Sequence, residues 1–192
     1  MGNVLYRWDL RYLFEKLIDD QEELDWFLSN VVTPEWHFQH DAGRPLAEML
    51  PERIDQFPEY EGHIRAYVAR FNETIPGPVE GSLEIVHDLA ANGTPIFGIT
   101  NFGSEFWRQF RPTAPVFDYF QDIVVSGDEK LVKPDREIYE LALRRFGREA
   151  EQCLFIDDRL ENIEAGEAMG IKGHHFQSAI ELRQQLIALN LL

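Results

Sequence analysis

The chain has 192 residues, with 18 Lys plus Arg against 34 Asp plus Glu, a formal net charge of -16, and 44% of its residues are hydrophobic. The 14 Phe, 6 Tyr and 4 Trp are too many to leave in water, which excludes a disordered chain. No apolar run is long enough to span a membrane, and the acidic balance repels phosphate backbones, so neither a membrane nor a nucleic acid is expected as a partner.

From about Leu10 to Asn72 apolar residues recur at helical spacing, as in Leu10, Leu13, Phe14, Leu17 and Ile18, and no strand is predicted. Gly43-Arg44-Pro45, Pro51 and Pro58 punctuate this stretch into a small helical bundle. The chain divides at Pro76-Gly77-Pro78. Beyond it, Val79 to Asn92 reads as a helix stopped by Gly93. The run from Pro95 to Thr100 is too short for a helix and reads as a strand, followed by a helix near Ser104 to Phe110. A strand at Ile123-Val124-Val125, a helix from Pro134 to Phe146 and a strand from Cys153 to Ile156 come next. A helix from about Leu160 to Met169, a strand from Ile171 to Phe176 and a closing helix from Ala179 to Leu189 complete the order.

Short apolar strands alternating with amphipathic helices predict an α/β fold, a parallel sheet covered on both faces. In such sheets ligands sit beyond the carboxyl ends of the strands. There the sequence places Thr100-Asn101, then Ser126 with Lys133-Pro134-Asp135 shortly after, then Asp157-Asp158. Converging on one edge, they would offer a hydroxyl, an amide, an ammonium and two carboxylates. Adjacent carboxylates are costly unless a cation or protons relieve them, and oxygen ligands beside phosphate favour Mg²⁺. Each residue also has an ordinary use. Asp158-Arg159-Leu160-Glu161 has the spacing of a capping box, Thr100 and Asn101 suit a cap or turn, and Lys133 precedes a Pro that can start a helix. Cys153 reads as a small buried thiol that cannot form an internal disulfide, and His174-His175 reads as strand-edge packing. The start lacks a basic region followed by an apolar stretch, so no signal peptide is expected, and a cytoplasmic setting is the default.

Taken in order, Gly2-Asn3-Val4-Leu5, Ile99-Thr100-Asn101, Lys133-Pro134-Asp135 and Phe155-Ile156-Asp157-Asp158 with Asn162 resemble the haloacid dehalogenase superfamily. The likeness is to its hydrolases and sugar-phosphate phosphatases with a helical cap inserted after the first strand. The resemblance implies a Rossmann-like α/β core at 1–9 and 77–192 and a helical cap at 10–76. It implies that Thr100 binds phosphate, that Lys133 stabilises the nucleophile and transferring group, and that Gly2, Asn3 and Asn101 contact substrate. Asp158 would be the Mg²⁺ ligand, with Asp157 beside it or coordinating directly. The cap segment Trp36-His37-Phe38-Gln39-His40-Asp41 would face the substrate, with Trp36 and His40 as the expected contacts.

The family's nucleophile is an Asp followed by one variable residue and then the Gly-Asn-Val-Leu seen at Gly2 to Leu5. Met1 fills the variable position, so the Asp would immediately precede Met1, and Asp9 lies too far along to substitute. Four buried side chains of a central first strand would contribute about 6–12 kcal/mol, against a total stability of about 5–15 kcal/mol. The native chain is therefore expected to start upstream, and a polypeptide beginning at Met1 is expected to be inactive. The implied activity is Mg²⁺-dependent hydrolysis of a small phosphorylated metabolite through an aspartyl-phosphate. Two alternatives stand: a 2-haloacid dehalogenase, which the acidic Asp157-Asp158 pair disfavours for a carboxylate substrate, and a non-catalytic binding protein on the same fold.

Overall fold

A computed structural model describes residues 2–192; Met1, and with it the expected variable position of the first motif, lies outside the described residues. Two layers are built from two kinds of sequence. The first is helical: α1 (Arg11–Phe14), α2 (Gln21–Asn30), α3 (Pro34–Asp41), α4 (Leu46–Gln56) and α5 (Glu61–Ala69). Local capping fixes where α2 and α3 begin. The Asp20 carboxylate accepts from the Glu23 amide at 2.8 Å, and the Thr33 hydroxyl accepts from the Trp36 amide at 3.1 Å with Pro34 opening the first turn. Their apolar faces meet in one cluster in which Leu13, Phe14, Leu24, Phe27, Met49, Ile64 and Tyr67 have no exposed surface. Phe106 belongs to this cluster although it comes from the other layer, and its ring stacks on Phe71 at 3.7 Å between centroids.

The helical segment begins and ends at a small ladder not anticipated from the sequence. Strand β1 (Tyr6–Arg7) pairs antiparallel with β2 (Gly77–Pro78), so the predicted hinge at Pro76-Gly77-Pro78 is partly strand. Pro78 has no amide hydrogen to donate, which suits it to a two-residue strand at an edge.

The second layer carries α6 (Ser82–Ala91), β3 (Phe97–Thr100), α7 (Ser104–Phe110), β4 (Asp122–Val125), α8 (Ser126–Glu129), α9 (Arg136–Phe146), β5 (Leu154–Asp157), α10 (Leu160–Glu167), β6 (Lys172–His175) and α11 (Ala179–Ala188). β3 runs parallel to β4, with Thr100 opposite Val125, and β5 runs parallel to β6, with Asp157 opposite His175. Side chains alternate between faces as a doubly covered sheet requires. Leu154 and Ile156 join an apolar cluster with α6 and α11, whereas Phe155 joins another with α9. The expected single sheet is found, among the described residues, as these two parallel pairs. No helix of the described residues is long and apolar enough to cross a membrane.

The layers touch closely at Gly103, just before α7. A Cβ there would collide with the His40 ring of α3, and the Ser126 hydroxyl donates to the Asp41 carbonyl at 2.5 Å beside it. Gly103→Ala is expected to cost about 1–3 kcal/mol, because neither the buried ring nor the backbone can yield without repacking. Thermal unfolding of the variant checks this, and an unchanged midpoint would show that the two layers can part at this point without cost.

Candidate active site

The carboxyl ends of β3 and β5 are joined by one side chain. Lys133 is 6% exposed, and its ammonium donates to the Asp157 carboxylate at 2.6 Å on β5 and to the Ile99 carbonyl at 3.2 Å on β3. Burial of a lysine needs such partners, since an unpaired ammonium away from water is far too costly. Its backbone is fixed as well. The Lys133 amide donates to Asn101 Oδ1 at 2.8 Å, and Asn101 Nδ2 donates back to the Lys133 carbonyl at 2.9 Å. The peptide bond from Lys133 to Pro134 is cis.

Asp157 is 2% exposed and fully engaged. Beyond Lys133, its Oδ1 accepts from Asn162 Nδ2 at 2.8 Å and from the Arg159 amide at 3.0 Å. Burial pushes its pKa up, but the Lys133 charge and the hydrogen bonds from Lys133 and Asn162 outweigh that and hold the carboxyl below its ordinary range. Asn162, in the first turn of α10, enters the sequence reading only as part of the family pattern. Its place five residues after Asp157 is the signal for its role: one turn into the next helix faces back to the strand end. The Tyr139 hydroxyl donates to the Asn162 carbonyl at 2.8 Å and steadies it.

Asp158 is different. It does not cap α10: the residue before that helix is Arg159, with no side-chain cap, and the carboxylate that reaches the Arg159 amide is that of Asp157. Among the described residues the Asp158 side chain has neither a hydrogen bond nor an ion pair, and only its carbonyl is held, by His175 Nε2 at 3.1 Å. The ordinary readings of Lys133 as a solvated lysine and of Asp158 as a cap are thus both set aside by the geometry.

These groups open onto one cleft of about 510 Å³ between the layers, lined by Gly2, Asn3, Thr100, Asn101, Lys133, Asp157, Asp158 and Asn162 on its polar side. Thr100 is buried, and among the described residues its hydroxyl has only a long 3.5 Å contact to the Asn101 carbonyl, which suits it to serve a ligand. Asn3 adopts a positive φ of 53°, and its side-chain oxygen accepts from the Trp8 amide at 3.1 Å.

The helical layer contributes a different face of α3 than expected. Trp36 is buried against Tyr67 with the Arg53 guanidinium over its ring, and His40 is buried against Phe106 with Nδ1 on the Arg44 carbonyl; neither lines the cleft. With 3.6 residues per turn, Glu35, Phe38 and Asp41 fall on the other side, and they line it with His37. Tyr67, whose pKa is raised well above ordinary by burial and then by Asp41, shares a hydrogen bond between its hydroxyl and His37 Nδ1 at 2.6 Å. His37 Nε2 then faces Asp41 Oδ2 at 3.4 Å, while Asp41 Oδ1 has no partner among the described residues.

Among the described residues no group of three His, Cys, Asp or Glu is placed to hold a metal ion. A full protein cage is not what Mg²⁺ needs, since it commonly keeps several waters and uses one or two carboxylates plus phosphate oxygens. Asp158, a carboxylate with no side-chain partner among the described residues that opens onto the same cleft as Thr100 and Lys133, fits that mode of binding.

Residues 9–170 match the family described as haloacid dehalogenase-like hydrolases, and the chain belongs to that family. It is 27% identical over 188 residues to the sesquiterpene phosphatase astK of Aspergillus oryzae, a match covering 96% of this chain and 92% of that one. It is 36% identical over 132 residues to a phosphoglycolate phosphatase of Yersinia pestis, covering 68% of this chain and 54% of the relative, so it spans only about half of that protein. Among solved structures, a HAD family enzyme of Bacteroides thetaiotaomicron, crystallised with magnesium and inorganic phosphate after replacement of one aspartate by alanine, aligns with TM-score 0.70 at 21% identity, covering 93% of this chain and 91% of that one. A HAD-like hydrolase of Porphyromonas gingivalis aligns with TM-score 0.74 at 15% identity over 97% and 94%. The chain is a hydrolase of this family, nearer to its phosphatases than to its dehalogenases.

Proposed function

We propose that the protein is a Mg²⁺-dependent hydrolase of a small phosphorylated metabolite, with residues 1–9 and 77–192 as its core and 10–76 as its cap. The observation that supports this most is the division of labour in the acidic pair: Asp157 is consumed by Lys133, and Asp158, with no side-chain partner among the described residues, lines the same cleft. The lone Cys153, with no partner thiol, makes a cytoplasmic setting part of the same proposal.

The chain's own residues have defined tasks. Lys133 has three N–H donors and among the described residues spends two, on Ile99 and Asp157, so the third can serve a phosphoryl oxygen. The Thr100 hydroxyl holds a second oxygen, and Asn101 keeps Lys133 in place through its backbone. Asp158 would hold the Mg²⁺, which when bound supplies charge neutralisation on the phosphoryl oxygens. None of the described residues is assigned the role of the attacking carboxylate. Gly2 stands where many relatives carry an acid, and no group is assigned to protonate the leaving oxygen.

The test is calorimetric titration with orthophosphate, with and without Mg²⁺, joined to phosphate release from a monoester panel by a chain extended through an Asp directly before Met1. Mutually dependent binding of Mg²⁺ and orthophosphate, and Mg²⁺-dependent release by the extended chain, are expected. Halide release from a 2-chloroacid without Mg²⁺ would place the dehalogenase first. Binding of phosphate esters with no turnover by the extended chain would favour a binding protein.

A further inference from the structure

The cleft changes character away from its polar floor. Its remaining lining is largely aromatic, with Trp8, Phe38, Phe71, Phe102 and Trp107 around the space between the layers. Phe38 is 37% exposed, a large apolar ring held open to solvent at the cleft rather than turned into the adjacent cluster. Exposed aromatics lining a concave site are costly in water and are relieved by an apolar ligand.

The charges in the cleft point the same way. The helical layer supplies it with no Lys or Arg; its ionisable groups there are Glu35, His37 and Asp41. Asp41 is 7% exposed, and its carboxylate, one oxygen of which has no partner among the described residues, would repel a nearby anion. Among the described residues the Lys and Arg side chains that line the cleft are both engaged: Lys133 with Asp157, and Arg159 with Glu161 at 2.6 Å. After one phosphoryl group is bound, a second anionic group on the same molecule meets two carboxylates, and among the described residues the Lys and Arg side chains there are already paired.

Resting on the phosphatase reading, we propose that the ester hydrolysed at this site carries an apolar, uncharged alcohol as its leaving group, packed against Trp8, Phe38, Phe102 and Trp107. Carboxylated and doubly phosphorylated metabolites are excluded by Glu35 and Asp41. The aromatic wall thus sets which phosphates enter, and the polar floor treats them alike.

The experiment uses the 192-residue chain with Mg²⁺, and follows binding by calorimetry and by tryptophan fluorescence, since Trp8 and Trp107 line the cleft. The probes are orthophosphate, phosphoglycolate, and butyl, hexyl and octyl phosphate. A buried methylene strengthens binding about fourfold, so affinity is expected to rise at least about tenfold from butyl to octyl phosphate. Phosphoglycolate is expected to bind no more tightly than orthophosphate. If orthophosphate binds but the alkyl series is flat, or phosphoglycolate binds more tightly than octyl phosphate, the apolar assignment is overturned while the phosphatase reading stands. If orthophosphate fails to bind but the series still rises and octanol competes, the apolar cleft is upheld and the phosphatase reading falls. Binding of none of the probes overturns both. Phe38→Ser, at an exposed position, should shrink the octyl-to-butyl ratio severalfold, and an unchanged ratio would overturn the packing proposed for the alcohol.

Discussion

Replacing Lys133 by Met should lower stability at neutral pH by about 3–5 kcal/mol, the cost of leaving a buried carboxylate without its cation. For a chain of this length that is a fall of about 6–20 °C in unfolding midpoint. The reasoning lies in the geometry. Asp157 is nearly inaccessible, and Asn162 and the Arg159 amide cannot neutralise its charge. Methionine fills the same volume, so little of the loss is packing. A second change, Asp157→Asn, removes the stranded charge, and the double variant should recover most of the deficit. A double variant as unstable as Lys133→Met alone would show that the loss comes from packing or from the link to Ile99.

The same variant has a defined pH signature. In the native protein the Asp157 carboxyl titrates below the ordinary carboxylate range. A depressed pKa contributes stability that is present above the unfolded value and lost as pH falls through the folded one, so the native pair weakens only below about pH 4. Without Lys133 the lowering influences shrink and burial remains, which drives the folded pKa above the unfolded value. The penalty is then full at neutral pH and fades as the carboxyl takes up a proton on acidification. The gap between wild type and Lys133→Met should therefore narrow as pH falls toward 4. A gap constant from pH 7 to 4 would contradict a charge origin.

Most of the α/β layer is legible in the sequence because its signals are local. The strands at Phe97–Thr100 and Leu154–Asp157 are short apolar runs, and each ends in the polar residues that form the cleft floor. The helix over Arg136–Phe146 starts two residues later than expected because Pro134 and Asp135 belong to the turn that carries Lys133. What the sequence does not supply is orientation. In the segment from Trp36 to Asp41 every residue type suits a ligand, and only the rotation of α3 against Phe106 decides that Phe38 and Asp41 face the cleft while Trp36 and His40 do not. The Tyr67–His37–Asp41 chain spans 30 residues between its first two members, so no spacing rule reveals it. The β1–β2 ladder escapes sequence reading for the opposite reason: two residues each, with Gly and Pro in one strand, carry too little pattern to read.

Adjacent acids look interchangeable in sequence, and the clearest test of the site is that they should not behave so. Asp158→Asn is expected to weaken Mg²⁺-dependent orthophosphate binding at least about 100-fold, the upper range seen when even an indirect metal contact is lost. Its unfolding midpoint should stay within about 2 °C of wild type, because among the described residues the side chain makes no hydrogen bond or ion pair. Asp157→Asn should do the reverse to stability, costing several kcal/mol by stranding the buried Lys133 ammonium. Asp157→Asn will also disturb phosphate binding, since Lys133 is then free to move, so the discriminating quantity is the pair of readouts for each variant. Loss of Mg²⁺ binding in Asp157→Asn with an unchanged midpoint, alongside normal binding in Asp158→Asn, would exchange the two roles and put the metal on the strand rather than beyond it. The expected pattern follows from one distance: with Lys133 Nζ 2.6 Å from Asp157, a divalent cation on that carboxylate would face an ammonium at hydrogen-bonding range, and Asp158 is the acid spared that repulsion.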